Sequence, residues 1–239
     1  MRRRVLIAGV GTLAVIALLG GGAYVYFFSG LRTSPAQLGL SATPSTTTSA
    51  SPSTSSLAGS WTVTSGSVAG YRVKELFVGE TSKHEAVART STMSGGLTVG
   101  GDATSGYQIT AVTFTAVLSD LHSVDSVAGR NVTQRDSVVS RQMDLQQFPD
   151  ATFTASSVSV PGPVTGQQVD VTVNGRLTIH GVTKDVTVKG KAQITGGKLE
   201  IAGSLATDMT EFGVSPPSVP FVTVDTQVTI EFDIFLVKG

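Results

Sequence analysis

Between Val169 and Leu205 apolar residues fall on alternate positions: Val169, Val171, Val173, Leu177 and Ile179, then Val186, Val188, Ala192 and Ile194, then Leu199, Ile201 and Leu205. Period two with β-branched residues predicts strands with one buried face. Asn174-Gly175 is ordinarily a hairpin signal. A turn there would put Arg176, Thr178 and His180 on the face of Val171 and Val173, so the alternation predicts one strand running straight through. Gly196-Gly197 behaves oppositely. A two-residue turn there pairs Ile194 with Leu199 and Ala192 with Ile201, keeping the apolar face intact. With His180 and Asp185 closing the preceding turn, Ile179 faces Val186 and Leu177 faces Val188. Gly175, Gly190 and Gly203 then fall in one inward row. Such a row suits a sharp bend in a curling sheet, and equally leaves room inside for something other than side chains.

The same alternation extends over most of the chain. Trp61–Val63, Tyr71–Val73, Ala86–Val99, Tyr107–Ser119 and Ala151–Val160 read as strands. In Tyr107–Ser119, Val112, Phe114, Ala116 and Leu118 share one face, with Ile109, Ala111 and Val117 on the other. After a proline-bearing loop from Asp208 to Pro220, the last strand carries Val222, Val224, Val228, Ile230, Phe232, Ile234 and Leu236, all even-numbered. About eight antiparallel strands with turn signals between them predict an all-β up-and-down barrel or a sandwich. Asp120–Asp150 is polar and lacks alternation. It is expected to hold short helical turns (Thr133–Arg141, Asp144–Gln147) and to cap one end.

The first 58 residues are different. Arg2-Arg3-Arg4 precedes an uncharged run from Val5 to Phe28. That run is long enough for the roughly 20 helical residues that span a bilayer, and its end, Tyr24-Val-Tyr-Phe-Phe28, suits a membrane interface. Residues 1–30 are therefore expected to be a cytoplasmic Arg cluster and an uncleaved, single-pass transmembrane anchor, with the remainder extracytoplasmic. Residues 31–57, rich in Ser, Thr, Pro and Ala, are expected to be a disordered tether holding a domain off the membrane. Residues 58–239 form the β-domain.

Composition narrows the chemistry. With zero formal net charge and 14% charged residues, the chain lacks the basic face of a nucleic-acid binder. Having no Cys, it has no disulfide, thiolate, zinc-thiolate or lipidation site. His84, His122 and His180 lie in separate segments without ligand spacing, and Asp120-Leu-His122 with Asp125 is a common loop composition, so no metal is expected. There is no G-x-S-x-G elbow and no His-Asp pair beside a candidate Ser. The inward faces just traced hold no Asp or Glu, a poor setting for acid–base catalysis. An enzyme, or a cofactor, is not expected, and a hydrolase using the capping loop is the remote alternative. Arg130, Arg135-Asp136 and Arg141 place three guanidinium groups in the cap, as a rim for a polar or anionic head group or as ordinary surface ion pairs. Asn131-Val-Thr133 fits a glycosylation sequon, a pattern too short to be specific.

What remains is the interior. An eight-stranded barrel is just wide enough to fill itself or to hold one small ligand. The inward positions are mostly Val, Ala, Leu and Gly, which favours an unfilled apolar lumen. The candidate lining is Tyr71, Val73, Phe114, Phe153, Val173, Gly175, Leu177, Val188, Gly190, Gly203, Leu205, Ile230 and Phe232. Burying one five-carbon isoprene unit at ~0.8 kcal/mol per CH₂ yields about 3–4 kcal/mol. A non-catalytic structural or interaction module with a filled barrel is the competing class.

From Gly59 onward the chain resembles the YceI-like family of lipocalin-like barrels associated with polyisoprenoid binding. The residues carrying the resemblance are Trp61, Gly70-Tyr-Arg-Val73, Arg135-Asp136, Phe148-Pro149, Phe153, Phe212-Gly213 and, most specifically, Gly175-Arg-Leu-Thr-Ile-His-Gly-Val-Thr183. The resemblance implies an extended eight-stranded antiparallel barrel whose long lumen takes an isoprenoid tail, as in a quinone or polyprenyl lipid, in a bacterial-type cell envelope. It also implies no catalytic residues. One departure is Met209, where many members carry an Arg three residues before the Phe of the Phe-Gly pair.

Overall fold

The computed structural model describes residues 32–42, 56–164 and 168–239. The expected membrane anchor lies outside them, as do residues 43–55 of the expected tether. Among the described residues no helix is long and apolar enough to cross a membrane.

The wall is antiparallel throughout. In chain order the strands among the described residues are β1 (Arg32–Thr33), β2 (Gly59–Val63), β3 (Val68–Phe77), β4 (His84–Thr90), β5 (Met93–Asp102), β6 (Gly106–Val117), β7 (His122–Ser123), β8 (Ser126–Val127), β9 (Asp150–Pro161), β10 (Gln168–Ile179), β11 (Val182–Thr195), β12 (Lys198–Asp208) and β13 (Val222–Lys238), with one α-helix among those residues, α1 (Gln134–Gln142). β2 and β3 pair in succession along β13, and β5 and β4 pair in turn with β2 and β3, so each couple forms one long bent strand. Eight long strands result. The long β13 closes the ring, pairing with β12 on one side and with β2 and β3 on the other. One end holds the His180-Gly181 turn, α1 and the 209–221 loop. The opposite end holds the Gly196-Gly197 hairpin and the β5–β6 turn.

The central strands follow the alternation, with one change of register. β10 passes unbroken through Asn174-Gly175, and the Gly196-Gly197 hairpin pairs Ile194 with Leu199 and Ala192 with Ile201. The turn before it is tighter than the expected His180–Asp185 closure. Ile179 pairs with Val182, leaving only His180 (φ 52°) and Gly181 (φ 72°) in the turn. Two left-handed residues make the turn whose twist matches the flanking strands. The partner shift is even, so every side chain keeps its face. Gly175, however, now lies opposite Val186, and only Gly190 and Gly203 remain partners.

β6 shows a second difference. Its register with β5 shifts between Gly96 and Thr98, and Ala111 takes φ 51°. A bulge re-aims the residues on either side of it. Ile109 consequently faces the interior along with Val112 and Phe114, where uninterrupted alternation puts it outside. The main cluster of buried apolar residues gathers Trp61, Leu97, Val112, Ile234 and Leu236 toward the hairpin end, where Trp61 Nε1 donates to the Leu57 carbonyl at 2.8 Å.

Residues 32–42 correct the expectation of a disordered tether. They run as a strap along the outer wall, from the β3–β4 turn toward the hairpin end. Arg32 pairs with Glu80 and donates to the Ser82 carbonyl at 3.1 Å. The Pro35 and Ala36 carbonyls accept from Arg72 Nη2 and Arg89 Nη2, each at 2.6 Å. The Leu38 amide donates to Glu231 Oε2 at 3.1 Å, and the Ser41 amide to Glu200 Oε1 at 2.6 Å. Glu231, with no exposed surface, also accepts from Arg72 Nε at 2.7 Å and Arg89 Nη2 at 2.8 Å. Composition mispredicted this segment because it needs no core of its own: its backbone satisfies charges already set on the wall.

Under the strap, Asp233 sits beside Glu200, and its buried Oδ1 has no hydrogen-bond partner among the described residues. Burial, then the Glu200 carboxylate, pushes the Asp233 carboxyl up to about 6. A carboxyl raised on folding contributes stability below its unfolded value near 4, and that contribution is lost as pH rises through about 6. Asp233→Asn is therefore expected to stabilise the protein by about 1 kcal/mol at pH 8, the half-buried position being screened by solvent, and to change little at pH 4, measured by urea unfolding at both.

Candidate functional site

The barrel holds two chambers, each partly open to the outside, of about 510 Å³ at the α1 end and about 590 Å³ toward the hairpin end. They share Ala69, Ala116, Ala151, Leu177 and Ile230, which form a waist between them. Each lies within the roughly 300–1,000 Å³ of ligand pockets and far above the ~150 Å³ of a cavity left by one deleted side chain. Aliphatic inward residues are the cause: Val, Ile, Leu and Ala from facing strands do not reach one another across an eight-stranded ring.

Of the expected lining, Tyr71 and Val73 border the α1-end chamber. Phe114, Phe153, Val173, Val188, Gly190, Leu205 and Phe232 border the other, and Leu177 and Ile230 border both. Gly175 and Gly203 border neither. A Cβ on Gly175 would strike the Phe153 ring, and one on Gly203 would come within 2.8 Å of Phe232 Cζ. These two glycines thus seat aromatic rings against the wall, and the space they leave is occupied. Gly190 packs on its partner strand, where a Cβ would stand 2.5 Å from the Ala202 carbonyl.

The three cap arginines separate into different roles. Arg130 lies 3.9 Å over the Phe77 ring and donates to Glu80 Oε1 at 3.3 Å. Arg141 is exposed at the edge of the α1-end chamber. Arg135 reaches inward instead. Its Nη2 donates to Glu75 Oε1 at 2.6 Å and its Nη1 to Asp125 Oδ1 at 2.7 Å. His84 Nε2 meets Asp125 Oδ2 at 2.7 Å, and the Val87 amide donates to Asp125 Oδ1 at 3.0 Å.

This cluster overturns one sequence expectation, since an inward carboxylate exists, Glu75, and it gives His84 a carboxylate partner in Asp125. Residues 75, 84, 125 and 135 come from β3, β4, a loop and α1, so no local spacing reveals them. Burial pushes the Asp125 carboxyl up, but hydrogen bonds from His84 and Arg135 outweigh it and hold it at about 2. Ligand atoms of Glu75, His84 and Asp125 lie within 4.8 Å of one another, close enough for a metal. Arg135 already supplies the positive charge there, and its guanidinium takes the place a cation would. Asp136 ties the helix down by accepting from the Ser123 amide at 3.0 Å and hydroxyl at 2.7 Å. Beside the cluster, Tyr71 projects into the chamber, where burial pushes its hydroxyl's ionisation up despite the nearby Arg135. Its hydroxyl has no hydrogen-bond partner among the described residues.

The family model of the YceI-like domain matches residues 52–236. The chain belongs to the YceI-like family. Curated relatives named UPF0312 protein include one from Pseudomonas putida F1, 32% identical over 95 residues, 37% of this chain and 47% of that protein. Another, from Pseudomonas syringae pv. tomato, is 31% identical over 109 residues, 42% of this chain and 54% of that protein. The chain thus spans about half the length of the curated relatives it matches. Among solved structures, a polyisoprenoid binding domain from Saccharophagus degradans superimposes with a TM-score of 0.50 at 14% identity, covering 75% of this chain and 98% of that one. It shares the fold.

The YceI-like motif has a structural meaning here. His180 occupies the tight turn, its ring 5.0 Å from Phe148 at 72° and its Nδ1 donating to the Phe212 carbonyl at 3.2 Å. Gly181 seats Phe148, since a Cβ would come within 2.6 Å of that ring. His180-Gly181, Phe148 and Phe212-Gly213 therefore knit the α1 end together, and Met209 lines the chamber beside them.

Because Arg135 neutralises two buried carboxylates, Arg135→Met is expected to lower stability at pH 7 by about 3–5 kcal/mol in urea unfolding. EDTA should leave the unfolding of the unaltered protein unchanged.

Proposed function

We propose that this protein binds a long apolar lipid of the isoprenoid class along the barrel axis, with its polar head at the α1 end. The carrying observation is the hollow itself: two waisted chambers walled by Val, Leu, Ile, Phe and Ala, too large to be packing defects. Inward residues such as Val173, Phe114 and Phe232 remain only partly buried because they face this space. Family membership supports the class of ligand, as does the Saccharophagus degradans domain that shares the fold. The polar groups near the hollow concentrate at one end, where Tyr71, Arg141 and Gln142 could meet a head group. Each buried isoprene unit contributes about 3–4 kcal/mol, so two or three offset the ordering cost and leave micromolar or tighter binding.

No chemistry is assigned to the site. Its buried acid and base groups are tied to one another, with Arg135 bound to Glu75 and Asp125. A filled structural barrel does not suit chambers of this size. We take the barrel to be extracytoplasmic because Arg2–Arg4 precede the apolar run Val5–Phe28.

The test is native mass spectrometry and lipid extraction of the full chain. A stoichiometric isoprenoid quinone or polyprenyl lipid is expected, and a clean extract with no uptake of added quinone would overturn the proposal. Ala151→Trp, at the waist, is expected to exclude lipids long enough to occupy both chambers while leaving the fold intact by circular dichroism.

A further inference from the structure

The strap has a consequence for where the lumen opens. The chamber at the α1 end meets the outside between α1 and the 209–221 loop, and its edge includes Arg141, Ser215 and Phe221, all exposed. Two large apolar side chains stand out there: Val78 is 69% exposed and Phe221 57%. They are neighbours, because the Val78 amide donates to the Phe221 carbonyl at 3.0 Å. Val78 begins the same β3–β4 turn that carries Glu80 and Ser82, the residues that hold Arg32. The amino-terminal part of the chain therefore arrives at the lip of the chamber.

Only Ser29, Gly30 and Leu31 separate Phe28, the end of the uncharged run, from Arg32. At 3.3–3.6 Å per residue fully extended, Phe28 stands no more than about 14 Å from Arg32. We take the uncharged run Val5–Phe28 to lie in the bilayer, as its length allows, and a tether of residues 31–57 would let the barrel drift far from it. The hydrogen bonds of residues 32–41 to Arg72, Arg89, Glu231 and Glu200 remove that freedom and leave three residues of slack.

We infer that the α1 end of the barrel abuts the lipid bilayer, with Val78 and Phe221 as an apolar lip in contact with it and the chamber mouth facing the membrane. An exposed apolar pair at the mouth of an apolar hollow suits a lipid surface, and the three-residue connection brings that surface to it. The opposite end is kept away by the height of the wall: β6 alone has 12 residues, about 40 Å of strand at ~3.4 Å each, or roughly 30 Å along the axis for strands tilted 35–45°. Resting on the lipid-binding proposal, the consequence is that the lumen exchanges its lipid directly with the bilayer, without passage through water.

The chain contains no cysteine, so single labels are simple to place. The full chain carrying Val78→Cys, or Thr104→Cys in the β5–β6 turn, is labelled with a polarity-sensitive dye. Each is reconstituted into phosphatidylcholine vesicles whose acyl chains bear doxyl quenchers. Strong quenching at position 78 and little at 104 is expected. Equal quenching at both, stronger quenching at 104, or none at either overturns the inference. A second measurement follows transfer of a labelled isoprenoid quinone from the vesicles into the barrel. Val78→Asp is expected to slow transfer severalfold without changing the final occupancy, and an unchanged rate counts against the lip. The two proposals fail separately: quenching at 78 with no quinone uptake overturns lipid binding and leaves the membrane contact, whereas uptake without quenching does the reverse.

Discussion

An eight-stranded ring lined mainly with Val, Ile, Leu, Ala and a few Phe side chains does not fill its own interior, and the rest of the molecule is arranged around that constraint. A wall without a solid centre loses the packing that usually holds two sheets together. Closure by backbone hydrogen bonds takes over part of that role, and β13, bonded to β12 on one side and to β2 and β3 on the other, is the strand on which closure depends. The apolar cluster around Trp61 and Leu236 holds the wall at one end, while the other is held by polar contacts.

Those polar contacts form two buried seams. Inside the α1 end, Arg135 bridges Glu75 and Asp125, so the helix is fastened by charge where apolar filling would block the lumen. On the outside, Glu231 collects Arg72 and Arg89 beneath a strap of main chain. Buried charges of this kind stabilise little relative to apolar packing, yet breaking one is costly. They determine which segment docks where. The interior stays greasy and open because the recognition of cap and strap is carried by groups at its margins.

The glycines and the strained turn show the same economy. Gly175, Gly181 and Gly203 each make way for a neighbouring Phe ring, and the Phe148–His180 contact together with the His180–Phe212 hydrogen bond secures the loops over the mouth. The family's most specific motif is thus a fastening of the lumen's end.

Alternation along the chain determined the all-β class, the straight passage of β10 through Asn174-Gly175, the Gly196-Gly197 hairpin and the inward set of the central strands, because side-chain direction in a strand depends only on parity. A partner shift of even length at His180-Gly181 left that set untouched, whereas the bulge at Ala111 changed parity and moved Ile109 inward. Tertiary structure alone decided which glycines border open space, since that depends on whether a Phe from another strand leans over them. It alone assembled Glu75, His84, Asp125 and Arg135, which are distant in sequence and share no spacing. It alone turned residues 32–42 into a strap: composition reports whether a segment can bury a core of its own, and this one is held by charges that belong to the wall.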